Sequence, residues 1–135
     1  MVGSGTKPIP HFNTVRDCGY VVRAALQTSP GRNILAVGSM LSWTEYLRIW
    51  CDVNKVPFGG FDPIPLELFE KVIPVPGLGK EIGEMLAYMD EFGYDGSDPT
   101  VVHAGDVTSQ TGVLCPLTTW EAYVKEQDWS SLIKE

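Results

Sequence analysis

The side chains best suited to acid–base chemistry in this sequence are two histidines and three aspartates. A histidine titrates near neutral pH, so it can take up or release a proton without a cofactor. An aspartate does the same work only where burial raises its pKa. The predicted catalytic candidates are His11, Asp17, Asp90, Asp95 and His103. Each has an ordinary alternative: a surface or capping histidine, a capping-box acid, or a solvated acidic helix end.

A second set of residues offers an apolar surface for a substrate. Between Glu81 and Phe92, apolar residues recur at the i, i+3, i+4, i+7 spacing of an amphipathic helix that runs into the loop 93–96. Methionine and aromatic side chains adapt to an apolar ligand, and phenols such as that of Tyr46 add a hydrogen-bonding group. The residues predicted to line the pocket are Tyr20, Trp43, Met85, Tyr88, Met89, Phe92 and Tyr94. The alternative is a core helix with a glycine C-cap at Gly93.

Signals for other chemistries are weak. Residues 77–83 (GLGKEIG) lack the spacing of a dinucleotide fingerprint and are interpreted as a loop and helix start. Residues 3–7 (GSGTK) follow no strand, so they do not indicate a phosphate loop. Neither histidine has a metal-ligand spacing such as HxxxH, and no GxSxG elbow indicates a hydrolase. We therefore expect neither a cofactor nor a metal.

Helix-start and turn patterns indicate which elements position these groups. Capping boxes at Thr14-x-x-Asp17, Ser42-x-x-Glu45 and Thr118-x-x-Glu121 predict helices over 15–27, 43–54 and 120–125, with another over 66–72. Short strands are predicted over 33–38 and 100–103. The predicted fold is α/β (α+β-like), one domain over 1–135, with about five helices around a small incomplete sheet of two or three strands. Because such a sheet has open edges, we expect a homodimer to cover it.

Composition excludes several partners. The chain of 135 residues carries a net charge of −7, and its ten lysines and arginines are scattered, which argues against nucleic acid. Apolar runs are too short to span a bilayer, so no membrane partner is expected. Three cysteines without a CxxC motif are interpreted as buried thiols in a reducing cytoplasm.

Four segments together resemble a known family. They are residues 8–26 (PIPHFNTVRDCGYVVRAAL), 33–62 (NILAVGSMLSWTEYLRIWCDVNKVPFGGFD), 91–99 (EFGYDGSDP) and 115–133 (CPLTTWEAYVKEQDWSSLI). They are similar to the C-terminal, substrate-side portion of fungal NmrA-like proteins, which are relatives of the short-chain dehydrogenases/reductases. The family's glycine-rich first turn and nucleotide-recognition strand have no counterpart here. The resemblance therefore implies a substrate pocket without the N-terminal dinucleotide-binding domain, and it does not carry over an NAD(P) oxidoreductase activity.

Three functions follow as hypotheses. The first is a cofactor-independent cyclase or isomerase of fungal secondary metabolism. It would fold an apolar polyketide or terpenoid and move one proton, in pericyclic, hydroxyl-addition, dehydration or double-bond-shift chemistry. The second is a non-catalytic regulatory or metabolite-binding protein derived from an NmrA-like reductase. The third is a fragment of a longer reductase, which would expose a wide apolar face. An enclosed apolar pocket beside a buried ionisable group favours the first.

Overall fold

A computed structural model describes residues 1–133, leaving aside the side chains of residues 104, 105 and 110. Within this part of the chain there are six helices and four short strands. In chain order they are β1 (Ile9–His11), α1 (Thr14–Ala25), β2 (Asn33–Leu35), β3 (Ser39–Leu41), α2 (Trp43–Asn54), α3 (Leu66–Val72), α4 (Leu78–Phe92), β4 (Val101–His103), α5 (Ala104–Thr111) and α6 (Trp120–Glu126). The predicted mixed α/β class is confirmed, and α5 is a helix that the sequence patterns did not predict.

The strands form two separate pairs rather than the one small sheet that was predicted. β1 pairs antiparallel with β3, with Ile9 opposite Leu41 and His11 opposite Ser39. β2 pairs parallel with β4, with Asn33 opposite Val101. The run predicted as one strand over 33–38 contributes only its first three residues to β2, and Gly38 then leads into β3. Each strand has three residues, so the helices carry most of the packing.

Of the three predicted capping boxes, one is confirmed and two are wrong. The Ser42–Glu45 capping box is confirmed, with reciprocal hydrogen bonds between the two residues at the start of α2. The box predicted at Thr14 and Asp17 is wrong, because Asn13 is the N-cap of α1 and its side chain accepts a hydrogen bond from the Arg16 backbone N–H. The N-cap of α6 is likewise Thr119 and not the predicted residue one position earlier.

The main apolar cluster lies where α4 packs against α3, β1 and the first residues of the chain. Ile9, Leu86 and Met89 are buried at its centre. Residues 77–83, interpreted as a loop and helix start, lie almost wholly within α4. Gly79 and Gly83 face α3, and a Cβ at Gly79 would approach the backbone oxygen of Glu70 to 2.7 Å. Glycine is therefore present here for close helix packing, which outweighs its low helix propensity.

Smaller clusters form where α1 packs on α5 and α2 packs on α6. Val107 and Val124 are fully buried on α5 and α6. The prediction of three buried thiols is only partly right: Cys51 is buried, Cys115 is partly buried, and Cys18 is exposed on α1. All three are free.

Candidate functional site

A half-open cleft of about 310 Å³, and not the enclosed apolar pocket expected of a cofactor-free enzyme, lies between the end of β1 and the start of α6. Its walls come from the end of β1, the first turn of α1, the start of α2 and the start of α6. The lining residues are His11, Phe12, Asn13, Thr14, Val15, Tyr46, Thr118, Thr119, Trp120 and Tyr123. A cleft of this size lies at the lower end of the range for small-molecule sites, and its mixture of rings with a few polar groups is typical of them.

Four rings along the cleft form a stacked column. The His11 ring stacks on Tyr46 with centroids 4.5 Å apart, and Tyr46 stacks on Trp120 at 3.8 Å. Trp120 stacks in turn on Tyr123 at 5.7 Å. The Trp120 indole N–H donates to the Tyr46 backbone oxygen at 2.9 Å, which fixes the indole against α2. The column therefore gives the cleft a rigid wall of ring edges against which an apolar ligand can pack.

His11 is held as a neutral base at the end of this column. Its Nε2 lies 3.2 Å from the backbone oxygen of Leu41 on β3. Since a carbonyl oxygen only accepts, we assign the ring proton to Nε2, which leaves Nδ1 as the free acceptor of the neutral ring. Burial lowers the pKa of His11, an effect only partly offset by the hydrogen bond to Leu41. The imidazole is therefore unprotonated and able to accept a proton at neutral pH.

Tyr46 is held in the opposite protonation state. Burial, with a smaller contribution from the charge of Tyr123, raises the pKa of the Tyr46 phenol. The hydroxyl therefore stays protonated and remains a hydrogen-bond donor over the working pH range. The cleft thus combines a neutral base at His11 with a donor at Tyr46, and the two rings are in direct contact.

Asp17 links α1 to Thr118, a cleft residue in the segment before α6. The residue is fully buried, and its carboxylate accepts hydrogen bonds from the Thr118 backbone N–H at 2.6 Å and from the Thr118 hydroxyl at 2.8 Å. Both oxygens are therefore engaged, and Asp17 positions the segment before α6. Near the same carboxylate, burial and then the charge of Asp17 raise the pKa of the Cys115 thiol, which stays protonated.

The other predicted acid–base residues lie apart from this cleft. Asp90 accepts a hydrogen bond from the Ser4 hydroxyl at 2.6 Å and borders a separate void of about 10 Å³, too small for a ligand. Asp95 accepts from the Ser97 backbone N–H in the loop after α4. His103 ends β4 and precedes α5, where its backbone N–H donates to Asp106. Of the five candidates, only His11 lines the cleft, and Asp17 reaches it through Thr118.

The seven residues predicted to line a pocket, four of which lie on α4, do not line this cleft either. Met89 is buried in the main apolar cluster, and Trp43 packs against that cluster while its ring meets the His11 ring edge-on at 5.6 Å. The remaining predicted wall residues are each roughly half exposed and line neither of the two cavities; they are Tyr20, Met85, Tyr88, Phe92 and Tyr94.

Comparisons with known proteins return no match. No protein-family model, no curated protein and no solved structure is significantly similar to this chain. The resemblance to NmrA-like proteins therefore stays a prediction, and the cleft must be interpreted from its own geometry.

Among the cleft residues that the sequence patterns did not identify are two rings of α6. Trp120 and Tyr123 belong to the segment TTWEAY, which was interpreted as a helix start and as part of the resemblance to NmrA-like proteins, without a role at a site. The available signal was their spacing: residues three apart share one face of a helix, and here both are aromatic. That spacing does not identify His11 as a neighbour. The His11 ring is connected to Trp120 only through Tyr46 of α2, which stacks on both rings.

Two further findings concern the part of the chain that the structure describes. In residues 1–133, no helix is long and apolar enough to cross a membrane. The same residues contain no group of three or more histidine, cysteine or acidic side chains placed to hold a metal ion.

Proposed function

We propose that the protein binds a small, apolar, ring-bearing molecule in this cleft and isomerises or cyclises it without a redox cofactor. The observation that carries the proposal is the neutral His11 imidazole stacked on the protonated Tyr46 phenol along one wall of the cleft. A base and a donor held at fixed positions beside an aromatic wall are what proton-transfer chemistry on an apolar substrate requires.

The proposed reaction moves one proton and leaves the mass of the substrate unchanged. His11 Nδ1 takes a proton from a carbon next to a carbonyl or from a hydroxyl group, and the resulting imidazolium returns it at another carbon or oxygen. The phenols of Tyr46 and Tyr123 donate hydrogen bonds to the oxygen on which negative charge develops. Trp120 lines the cleft, and its fixed ring edge limits the orientations that the substrate can take.

The family resemblance supports the same proposal from the sequence. A substrate-side portion of an NmrA-like protein would supply a pocket for an apolar polyketide or terpenoid. Because the sequence has no dinucleotide fingerprint, the proposed reaction is one that needs no nicotinamide cofactor. We include a cytoplasmic location in the proposal, since three free cysteines fit a reducing compartment.

A non-catalytic metabolite-binding protein is the second candidate. One observation favours it: Asp17, the buried carboxylate beside the cleft, has both oxygens engaged by Thr118. The hydrogen-bond partner that the structure gives His11 is the Leu41 backbone oxygen, and not a carboxylate that would stabilise the protonated imidazole. A cleft that only binds would retain its ligand unchanged.

The experiment that tests the proposal is incubation of the purified protein, without NAD(P)H, with a metabolite extract of the host organism, followed by mass spectrometry. We expect a product isomeric with its substrate, lost in His11→Gln and retained in the matched control His103→Gln. Conversion that requires NADPH overturns the cofactor-free mechanism. A ligand that co-purifies unchanged, and that His11→Gln still binds, supports the binding protein instead.

A further inference from the structure

The walls of the cleft carry no charged side chain. Its ten described lining residues include no lysine, arginine, aspartate or glutamate, and His11 is neutral there. Two charged residues of α1 lie close to the lining, and both are already paired. Arg16 is bound by Glu126, and Asp17 is buried with both oxygens engaged by Thr118. A charged ligand would therefore lose water without gaining an opposite charge, so the cleft favours an uncharged ligand.

The ring column presents edges to the cleft. Tyr46 is stacked between His11 and Trp120, and Trp120 is stacked between Tyr46 and Tyr123. Neighbouring rings therefore cover the faces of the two inner rings. An aromatic edge carries a partial positive charge, whereas an aromatic face carries a partial negative charge. This wall is therefore complementary to the face of a ligand ring and to a ligand oxygen.

Two hydroxyls on this wall are free to bind a ligand. Within the residues that the structure describes, the hydroxyls of the partly buried Tyr46 and Tyr123 make no hydrogen bond. No buried side-chain oxygen or nitrogen in the same part of the chain lacks a partner, so both hydroxyls are accessible from outside the protein. The Trp120 indole N–H, by contrast, is already used by the Tyr46 backbone oxygen. A buried tyrosine hydroxyl usually has a partner, and a ligand oxygen would supply it here.

His11 adds one acceptor to these two donors. Its Nε2 donates to the Leu41 backbone oxygen, which leaves Nδ1 to accept a hydrogen bond. A ligand that satisfies all three groups carries an oxygen that accepts from the tyrosines and a hydroxyl that donates to His11.

We propose that the ligand of the cleft is an uncharged aromatic molecule that bears both a carbonyl oxygen and a hydroxyl group. This inference rests on the proposed function, because it takes the cleft as the substrate site, and it narrows the substrate class. Oxygenated aromatic polyketides fit the cleft, and terpenoid hydrocarbons do not. A site that hydrogen-bonds its ligand discriminates strongly against an analogue without those groups, since the polar groups of the protein are then left unpaired.

Three probes with one fused-ring skeleton test this class. A hydroxytetralone carries a phenol and a ketone, tetralin is the bare hydrocarbon, and tetralin carboxylate is charged at neutral pH. NMR titration followed on the ring signals of His11 and Trp120 gives a dissociation constant for each probe at the cleft. We expect the hydroxytetralone to bind more tightly than either of the others, by about tenfold. A hydroxytetralone that does not bind, or that binds no more tightly than tetralin or its carboxylate, overturns the proposal.

Tyr46→Phe and Tyr123→Phe test whether the hydroxyls carry this selectivity. Each variant keeps its ring in the column and removes a hydroxyl that has no partner in the described part of the protein, so the fold is retained. Each should weaken binding of the hydroxytetralone about three- to tenfold and leave binding of tetralin unchanged. Tyr94→Phe is the matched control, because Tyr94 is half exposed and lines neither cavity. It should leave all three dissociation constants unchanged.

Two results with these variants contradict the proposal. Equal weakening of hydroxytetralone and tetralin would mean that the substitutions act through packing, and unchanged binding of both would mean that the hydroxyls do not contact the ligand. The dissociation constants are measured without turnover. Failure of the isomerisation assay therefore leaves this proposal standing, and a preference for tetralin or its carboxylate overturns it even where isomerisation is found.

Discussion

Replacing Asp17 by alanine is expected to destabilise the fold more than any exposed helix substitution. The carboxylate is fully buried and is the acceptor for both the backbone N–H and the hydroxyl of Thr118. Alanine removes both acceptors at once and leaves two donors of Thr118 without a partner. Since these bonds connect α1 to the segment that starts α6, the loss also loosens the cleft.

The magnitude follows from the two bonds. A hydrogen bond to a charged group contributes about 1.5–3 kcal/mol, so the loss of two such bonds in Asp17→Ala should lower the free energy of unfolding by about 3–6 kcal/mol. Asp17→Asn keeps the shape: its amide oxygen accepts from the Thr118 N–H, and its amide nitrogen donates to the Thr118 hydroxyl oxygen. Only the charge is lost, so the cost of Asp17→Asn should be about 1–2 kcal/mol.

Urea denaturation and thermal melting measure both variants against Asp52→Ala, which removes an exposed aspartate from α2. We expect Asp17→Ala to melt about 10–20 °C below the wild type, Asp17→Asn to lie between them, and Asp52→Ala to stay within about 0.5 kcal/mol of the wild type. Equal losses in Asp17→Ala and Asp52→Ala would refute the reasoning, as would an asparagine variant no more stable than the alanine variant.

Three further predictions concern the same region. Gly38→Ala should cost about 2–3 kcal/mol, because its Cβ would fall on the Thr118 carbonyl oxygen, while Gly59→Ala, with open space around it, should not; equal melting temperatures would contradict this. NMR titration should place the His11 pKa below its ordinary value of 6.5. The unfolded state then binds protons more readily, so the stability that His11 contributes is present above pH 6.5 and lost as pH falls through the folded-state pKa; a pH-independent difference between wild type and His11→Gln would contradict it. Ser42→Ala should lose about 1 kcal/mol through its N-cap, measured by urea denaturation; no change would argue against the cap.

Features encoded within a few residues were predictable from the sequence. The Ser42–Glu45 capping box needs only residues three apart, and the β4 strand needs only one short run of residues. In each case the local pattern and the tertiary contacts favour the same structure, so the prediction held.

Features that depend on distant partners were not predictable in this way. Asp17 has the sequence context of a capping acid, and its actual partner Thr118 is 101 residues away. The glycines at Gly79 and Gly83 suggest a loop until α3 is known to pack on them. The site shows the same limit: His11 was identified as a candidate, but Trp120 joins it only through α2, so the cleft has no signature in any single segment.

Because the cleft is assembled from segments about a hundred residues apart, its occupancy and the folding of the chain are thermodynamically linked. The unfolded chain has no such cleft, so a ligand binds the folded state alone. At about one hundred times its dissociation constant, a ligand would raise the free energy of unfolding by about 2.7 kcal/mol. A rise in melting temperature across a compound library would therefore report the natural ligand before its reaction is known. The same shift should vanish in Trp120→Ala, which removes one of the two inner rings of the column.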